Sequence, residues 1–216
     1  MTQIDVAMTD RLLTTTRAVR KRLDLNRPVP RELIEECVDV ALQAPMGANI
    51  VRIRWLVTDD PSIKMQIGAL YASSYEEYRK SAVERLAAVG RDENDKSLRS
   101  ADHLAAVLGQ VPALVIPCHV DRPPDDPTPY SLSVFYGSVM PAVWSFILAL
   151  RSRGLGTSLT TLHLQREPEV AALLGIPPTA TQLVMLPVGW FTGDDFQAIP
   201  RKPAAAYTYF NAWKGR

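Results

Sequence analysis

The stretch from Ser133 to Arg153, SVFYGSVMPAVWSFILALRSR, decides the fold class of this 216-residue chain. Apolar side chains lie on almost every side of a helix drawn through this stretch, and Gly154 provides a helix stop directly after it. A helix that is apolar on every side has to be buried on every side. We therefore predict a long central helix inside the protein.

Weaker patterns on the N-terminal side predict the next elements. A helix is expected over residues 31–43, where apolar residues recur at helical spacing and Pro30 suits the first turn. The β-prone run from Ile53 to Thr58 ends at the turn residues 59–61, which indicates a short strand followed by a new helix. A long helical region with weak patterning continues to about Gly109.

Two more strands are expected, over Ala113 to Val120 and over Gln182 to Trp190. Each contains a proline, Pro117 or Pro187, which cannot donate to a strand ladder, so each strand should lie at an edge or carry a bulge. The segment 121–129, DRPPDDPTP, is expected to be an exposed connection. Because helices outnumber strands, and the two are neither regularly alternated nor grouped, the pattern favours an α+β fold.

The overall composition excludes several classes of protein. With 47% hydrophobic and 22% charged residues, the chain is typical of a globular protein with one sizeable core. A formal net charge of +1 does not supply the broad basic face that nucleic-acid binding needs, so no nucleic-acid partner is expected. Any bound anion should therefore be small and locally held.

The cysteines and the N-terminus bear on the compartment. Cys37 and Cys118 are far apart and outside any CxxC pattern, so neither a disulfide framework nor a zinc site is indicated. The first residues, MTQIDVAMTD, lack the features of a signal peptide, and no continuous apolar run reaches the roughly 18 residues of a membrane span. We expect a cytoplasmic protein with no membrane partner.

Motifs of hydrolases, metalloproteases and P-loop enzymes are absent from the sequence. The Gly154-Leu155-Gly156 segment follows a helix and lacks a third glycine, so a helix C-cap explains it better than a dinucleotide fingerprint. The three histidines, His103, His119 and His163, show no ligand spacing and are expected to be satisfied surface or core residues. We predict no metal site.

Four further segments are ambiguous one at a time. Taken alone, the first is explained by a solvated basic turn and the second by a turn with Gly47 at positive φ. The third is explained by the C-cap just described, and the fourth by a solvated cation pair. The segments are Thr16 to Arg22 (TRAVRKR), Ala44 to Asn49 (APMGAN), Gly154 to Thr161 (GLGTSLTT) and Arg201 to Pro203 (RKP). In this order and spacing, from about Thr14 to Pro203, they resemble the nitroreductase superfamily of FMN enzymes.

The resemblance implies a set of cofactor-binding residues. The family's RRSVR segment, which binds the FMN phosphate and ribityl chain, is similar to Thr16-Arg17-Ala18-Val19-Arg20, although Thr16 and Ala18 depart from it. The family's APSxxN turn is similar to residues 44–49, with Met46 in the serine position, and the QPW that commonly follows is replaced by residues 51–53. The GLGT segment is similar to the stretch that brings backbone N–H groups to the flavin N5 and O4 edge. The implied set is Arg17, Ala18, Val19, Arg20, Pro45, Met46, Gly47, Asn49, Gly156, Leu159, Thr160, Thr161 and Arg201.

The resemblance also implies fold and partners. It implies a single nitroreductase-like domain over residues 1–216, with a small mixed sheet flanked by helices, and a homodimer with the central helix at its interface. FMN would lie between the subunits, and the tail 204–216 would cross to the other subunit. The tail is rich in aromatic residues (Tyr207, Tyr209, Phe210 and Trp213), which need a partner surface. Packing of the tail on its own subunit is the alternative.

The leading functional hypothesis is an enzyme that uses NADPH or NADH to reduce nitroaromatics, quinones or similar small acceptors by a ping-pong cycle. Flavin N5 would perform the chemistry, so no catalytic side chain is expected. One alternative is a specialised reductive dehalogenase that resembles iodotyrosine deiodinase in Pro45-Met46-Gly47 and Thr160-Thr161. The other alternative is a non-catalytic flavin-binding or storage protein, which the loss of the QPW segment leaves open.

Overall fold

The computed structural model describes residues 4–214, which divide into two compact units. The main unit spans Arg17–Gly193, and the end unit contains residues 4–16 and 194–214. The helices are α1 (Val6–Thr15), α2 (Arg31–Ala41), α3 (Pro61–Ala87), α4 (Lys96–Val107), α5 (Pro129–Gly137), α6 (Met140–Ser152) and α7 (Glu167–Leu174). The strands are β1 (Ile53–Thr58), β2 (Ala113–His119), β3 (Leu155–Thr157), β4 (Thr181–Gln182) and β5 (Leu186–Trp190).

The sheet of the main unit has the strand order β1-β2-β5-β3, with β4 also paired to β2. Along the chain, helices precede and separate the strands of this small sheet, which confirms the α+β prediction. All pairs between the named strands are antiparallel. The sheet was expected to be mixed, but the parallel pairing found within residues 4–214 is an isolated bridge between Ala18 and Thr157.

Strand β2 lies in the interior of the sheet, so of the two alternatives predicted from Pro117, a sheet edge or a bulge, the edge position is wrong. On one side, β2 pairs with β5 through residues 113–115 and with β4 through residues 118–119, which leaves Pro117 opposite a gap. The Pro117 carbonyl accepts a hydrogen bond from the Leu183 N–H at 3.0 Å, on the side of this gap. A proline is tolerated there because the ladder is interrupted where its missing N–H would point.

The predicted strand over 182–190 is likewise divided, into β4 and β5. Strand β5 lies between β2 and β3, so Pro187 is also inside the sheet. The residues between β4 and β5 make the backbone contacts with Pro117 and Thr160 instead of continuing the ladder. The division therefore creates the irregular edge at which Thr160 pairs.

Helix α3 begins as the sequence predicts. The Asp60 carboxylate accepts a hydrogen bond from the Ile63 N–H at 2.9 Å, and Pro61 occupies the first turn. Further along, α3 approaches the loop before β2 so closely that a Cβ on Gly68 would lie 2.8 Å from the Gly109 nitrogen. This close approach positions the central part of α3 beside the sheet.

The central apolar stretch forms two helices, α5 and α6, instead of one. The break falls at Ser138–Val139, just before Pro141 in the first turn of α6. The core-facing side of α6 is buried through Ala142, Val143, Phe146, Ile147, Ala149 and Leu150. Its other side is not, because Trp144 is 48% exposed and Val134 of α5 is 52% exposed. Within one chain, the prediction of burial on every side is therefore wrong.

By length and composition, the helical stretch Pro129–Ser152 would qualify as a candidate membrane span. Serines interrupt it, so no continuous apolar run is that long. The buried face of α6 packs in the hydrophobic core of the main unit. A core helix of a globular protein passes the same test, so this one stretch is weak evidence for a span.

The end unit contains α1 and the C-terminal segment. Asp5 caps α1 by accepting a hydrogen bond from the Met8 N–H at 3.0 Å. Arg11 of α1 forms an ion pair with Asp195 at 2.8 Å, which joins the two ends of the chain. The four tail aromatics named above are exposed, and Trp213 is 84% exposed.

Candidate functional site

The Arg17–Arg20 segment runs alongside β3, so the structure brings two of the predicted site segments together. The Val19 N–H donates to the Thr157 carbonyl at 2.8 Å, next to the parallel bridge between Ala18 and Thr157. A Cβ on Gly156 would lie 2.9 Å from the Val19 Cβ, so this close approach requires glycine. Gly154, with φ of 79°, ends α6 as predicted.

Thr160 is fixed through both its backbone and its side chain. It exchanges backbone hydrogen bonds with Met185, at 3.0 Å and 2.8 Å. Its hydroxyl lies 2.9 Å from the Tyr71 hydroxyl, which α3 delivers from the core. Burial raises the pKa of Tyr71, although the hydrogen bond to Thr160 and the nearby Arg20 charge oppose the shift, so the phenol stays protonated. Leu159 and Thr161, on either side, are exposed.

Several polar groups at this edge have no partner among the residues that the structure describes. The buried hydroxyls of Thr157 and Ser158 accept and donate no hydrogen bond within residues 4–214. The half-buried Arg20 guanidinium forms no ion pair in the same described range. Each unsatisfied buried hydroxyl costs roughly 1–3 kcal/mol. A polar ligand that reaches these hydroxyls would remove that cost, and the Arg20 charge would favour an anionic one. We call Arg17–Arg20 together with Gly156–Thr161 the phosphate half-site.

The predicted turn at residues 44–49 has a different backbone from the one expected. Positive φ occurs at Ala48 (53°) and Asn49 (57°), so the alternative explanation of this segment, a turn with Gly47 at positive φ, is wrong. Glycine is required at 47 because a Cβ there would lie 2.9 Å from the Ser138 Cβ. The turn thus packs against the junction between α5 and α6. We call Pro45–Asn49 the turn half-site.

The two half-sites lie at opposite corners of the sheet in one chain. The turn half-site leads into the start of β1, where Ile53 pairs with His119. Thr157 of the phosphate half-site pairs with Val188 of β5, and Val188 pairs with Ala113 of β2. Ala113 lies at the opposite end of β2 from His119, and β3 lies across the sheet from β1. At about 3.3 Å per residue and about 4.8 Å per strand, the corners are roughly 20 Å apart along the strands and about 14 Å apart across them. One chain does not bring both half-sites to one small ligand.

A cavity adjoins each half-site. Arg20 contributes to a cavity of about 260 Å³ that α3 and α4 line, and Gly47 contributes to one of about 490 Å³ beside α5. The sequence did not identify the residues of α3 and α4 that face the first cavity, because that region has weak helical patterning. Arg201, the last predicted site residue, is exposed in the end unit, and its role stays a prediction.

The histidines differ from one another. The His119 Nδ1 accepts a hydrogen bond from the Asp121 N–H at 2.9 Å, as expected of a satisfied core histidine. His163 is fully buried, yet neither ring nitrogen has a partner within residues 4–214, so the expectation of a satisfied residue is wrong there. Burial lowers the pKa of His163 to about 4. Its imidazole is therefore neutral at physiological pH.

The cysteines are free and buried, and burial raises the pKa of the Cys118 thiol to about 11. Neither thiol is a ready nucleophile, since the reactive form is the thiolate. Among residues 4–214, no group of three or more His, Cys, Asp or Glu side chains is arranged to hold a metal ion.

Comparison with known proteins assigns the chain to a family. Residues 13–190 match the Nitroreductase family, and the chain belongs to that family. Its fold is similar to that of the FMN-dependent nitroreductase NfnB from Mycobacterium smegmatis in complex with NADPH. The TM-score is 0.70 at 16% identity, and the match covers 96% of this chain and 100% of that one.

Two further structures share the fold. Iodotyrosine deiodinase bound to FMN and 3-iodo-L-tyrosine has a TM-score of 0.69 at 24% identity, covering 94% of this chain and 98% of that one. A nitroreductase-like family protein from Bacillus cereus has a TM-score of 0.66 at 16% identity, covering both chains fully at 100%. No curated protein matches the sequence. The nitroreductase fold predicted from the sequence is confirmed.

Proposed function

We propose that this protein is an FMN-dependent oxidoreductase that transfers electrons from NADPH or NADH to a small, electron-poor organic acceptor such as a nitroaromatic or a quinone. The observation that supports this most is the phosphate half-site. There, within residues 4–214, Arg20 forms no ion pair and the hydroxyls of Thr157 and Ser158 have no hydrogen-bond partner, beside a backbone edge that only glycine at 156 allows. These groups fit a phosphorylated, hydroxyl-bearing cofactor.

The charges of the half-site suit the FMN phosphate, which carries close to two negative charges at neutral pH. Arginine's planar fork meets two phosphate oxygens at once. Arg17 and Arg20 would bind the phosphate, with backbone groups of Ala18 and Val19 beside them. Arg201 would add a third guanidinium. Gly156, Leu159, Thr160 and Thr161 would line the ring edge, where donors tune the redox behaviour of the flavin.

Bound FMN would supply hydride acceptance from the reduced nicotinamide and hydride donation to the acceptor. The protein's part is to orient and to stabilise, and Tyr71 fixes the Thr160 hydroxyl at the ring edge for that purpose. For a nitro group, the overall reaction consumes one NAD(P)H and one proton per nitro group and yields NAD(P)⁺, the nitroso product and water. No side chain needs to act as the acid or base.

We also propose a homodimer in which the turn half-site of one subunit (Pro45, Met46, Gly47 and Asn49) contacts the FMN bound by the phosphate half-site of the other. The separation of the two half-sites in one chain supports this arrangement. The exposed Trp144 and Val134 on the central helices would be covered by the second subunit.

We propose a cytoplasmic location, because the buried, free cysteines suit the reducing cytoplasm. We also propose that residues 1–216 act as one functional domain.

The test of the function is the colour of the purified protein and its response to reduced nicotinamide. We expect a yellow protein that releases FMN on denaturation and loses its visible absorbance within seconds of anaerobic mixing with NADPH or NADH. Reoxidation by a nitroaromatic should restore the colour. A flavin-storage protein would stay yellow with both nucleotides, and a chain that does not bind added FMN would refute the proposal.

The C-terminal tail gives a prediction on the dimer. Deleting residues 206–216 should raise the dimer dissociation constant and weaken FMN binding. The aromatic side chains of the tail are exposed in one chain, and such side chains contribute a few kcal/mol when an interface buries them. Arg201 stays in place in this variant. Sedimentation velocity and FMN titration measure the two effects, and far-UV circular dichroism should show the secondary structure retained. Unchanged dimer and FMN dissociation constants would mean that the tail does not cross to the other subunit.

A further inference from the structure

The cavity lined by α3 and α4 has a composition of its own. Its volume is about 260 Å³, and its lining consists of Arg20, Tyr78, Ala82, Arg85, Leu86, Ser97, Leu98 and Ala101. We call it the arginine cavity. We propose that it binds the electron acceptor and selects an acidic one, a single aromatic ring bearing a carboxylate, with Arg85 as the specificity-determining residue. This inference rests on the proposed function.

The charge of the cavity supports an anionic ligand. The lining contains no Asp or Glu, and of its two arginines Arg20 is assigned to the FMN phosphate, which leaves Arg85 to meet an anionic ligand. The Arg85 Nη1 donates to the Ser81 hydroxyl at 3.0 Å, and the guanidinium lies 5.3 Å from the centre of the Tyr78 ring. Arg85 is therefore oriented by neutral groups, and its charge is not compensated by an ion pair within residues 4–214.

Other arginines in this region are neutralised inside the protein. Arg79, also on α3, forms an ion pair with Asp102 at 2.8 Å. Arg91, in the loop before α4, pairs with Asp95. The contrast separates Arg85 from arginines that serve to join α3, α4 and their connection. An uncompensated guanidinium at a cavity favours a carboxylate, which it binds with two parallel hydrogen bonds.

The remaining lining defines the rest of the ligand. Ala82, Leu86, Leu98 and Ala101 are apolar, and the Tyr78 ring adds an aromatic surface. The volume lies just below the roughly 300 Å³ at which pockets for drug-sized molecules begin, so one ring with few substituents is the suitable size. Arg20 belongs both to this cavity and to the phosphate half-site, so a ligand in the cavity would lie beside the FMN that this half-site is proposed to bind.

A matched pair of acceptors tests the proposal. 4-Nitrobenzoate and 4-nitrobenzamide differ in charge but little in size, and each nitro group takes two electrons and two protons to give nitroso and water. With the FMN-loaded protein, we expect kcat/KM to favour the benzoate. Arg85→Gln should lower the ratio of the two kcat/KM values at least tenfold, mainly through the KM of the benzoate, since the carboxylate loses its partner. Arg85→Lys should keep part of the preference.

The control variant is Arg99→Gln, on the exposed side of α4 and outside the cavity lining, which should leave the ratio unchanged. Calorimetric titration with 4-nitrobenzoate gives a readout that does not depend on turnover. Weaker binding to Arg85→Gln than to the parent protein supports the arginine cavity, even if neither acceptor is reduced. A lack of reduction would count against the proposed function alone. Equal binding, or a loss of FMN affinity in Arg85→Gln without a change in the ratio, would overturn the proposal.

Discussion

Arg20→Ala should weaken FMN binding by about 30-fold to nearly 1,000-fold, which corresponds to about 2–4 kcal/mol. The reason is that Arg20 is half-buried and has no ion-pair partner within residues 4–214, so its charge is available to the phosphate. Removing it leaves the phosphate dianion with one charged partner fewer in a partly desolvated site. Titration of the apoprotein with FMN, followed by quenching of flavin fluorescence, measures the change.

The adjacent cation provides the control for this experiment. Lys21 is exposed, so Lys21→Ala removes the same formal charge from a solvated position and should change the FMN dissociation constant less than twofold. Comparable retention of flavin by both variants after gel filtration would contradict the assignment of Arg20 to the phosphate. A large effect of Lys21→Ala alone would indicate that the phosphate lies on the exposed side of the Arg17–Lys21 segment.

Acidification should destabilise the protein through His163. The pKa of this residue is lowered by burial, from 6.5 to about 4, because the charged imidazolium is disfavoured where neither ring nitrogen has a hydrogen-bond partner within residues 4–214. The unfolded chain therefore binds a proton that the folded chain resists. The linked stability is intact above about pH 6.5 and is lost as the pH falls toward 4, and the loss reaches about 2 kcal/mol at pH 5.

Substitution separates this effect from that of other titrating groups. His163→Leu should reduce the decline in unfolding free energy between pH 7.5 and pH 5 by about 2 kcal/mol. It should change the value at pH 7.5 much less, since both ring nitrogens already lack partners in the described part of the chain. Urea unfolding at a fixed saturating FMN concentration gives the comparison. His163→Gln, which does not titrate either, provides a second variant if leucine packs poorly. If both variants decline with pH as steeply as the parent, His163 is not the source.

Elements whose signals are local can be predicted from the sequence alone. Pro30 and the periodic residues after it predict α2, and the Asp60-Pro61 pair marks the start of α3 within one residue. Gly154 ends α6 because only a residue without Cβ adopts its positive φ easily. Such signals depend on residues a few positions apart, which the chain carries into any fold. The order of the four segments between Thr14 and Pro203 then indicated the family.

The tertiary structure decided everything that depends on residues distant in sequence. Gly156 is required because Val19 packs on it, and Pro117 fits inside the sheet because β4 and β5 leave a gap beside it.

The partners of the site residues follow the same rule. The Tyr71–Thr160 hydrogen bond spans 89 positions, and the arginine cavity joins Arg20 to Arg85 through helices with little patterning of their own. No local propensity encodes such pairs, because their distances are fixed by how the helices pack on the sheet. For the same reason, the sequence identifies the residues of both half-sites, but only the sheet topology shows that the two half-sites lie at opposite corners of the sheet.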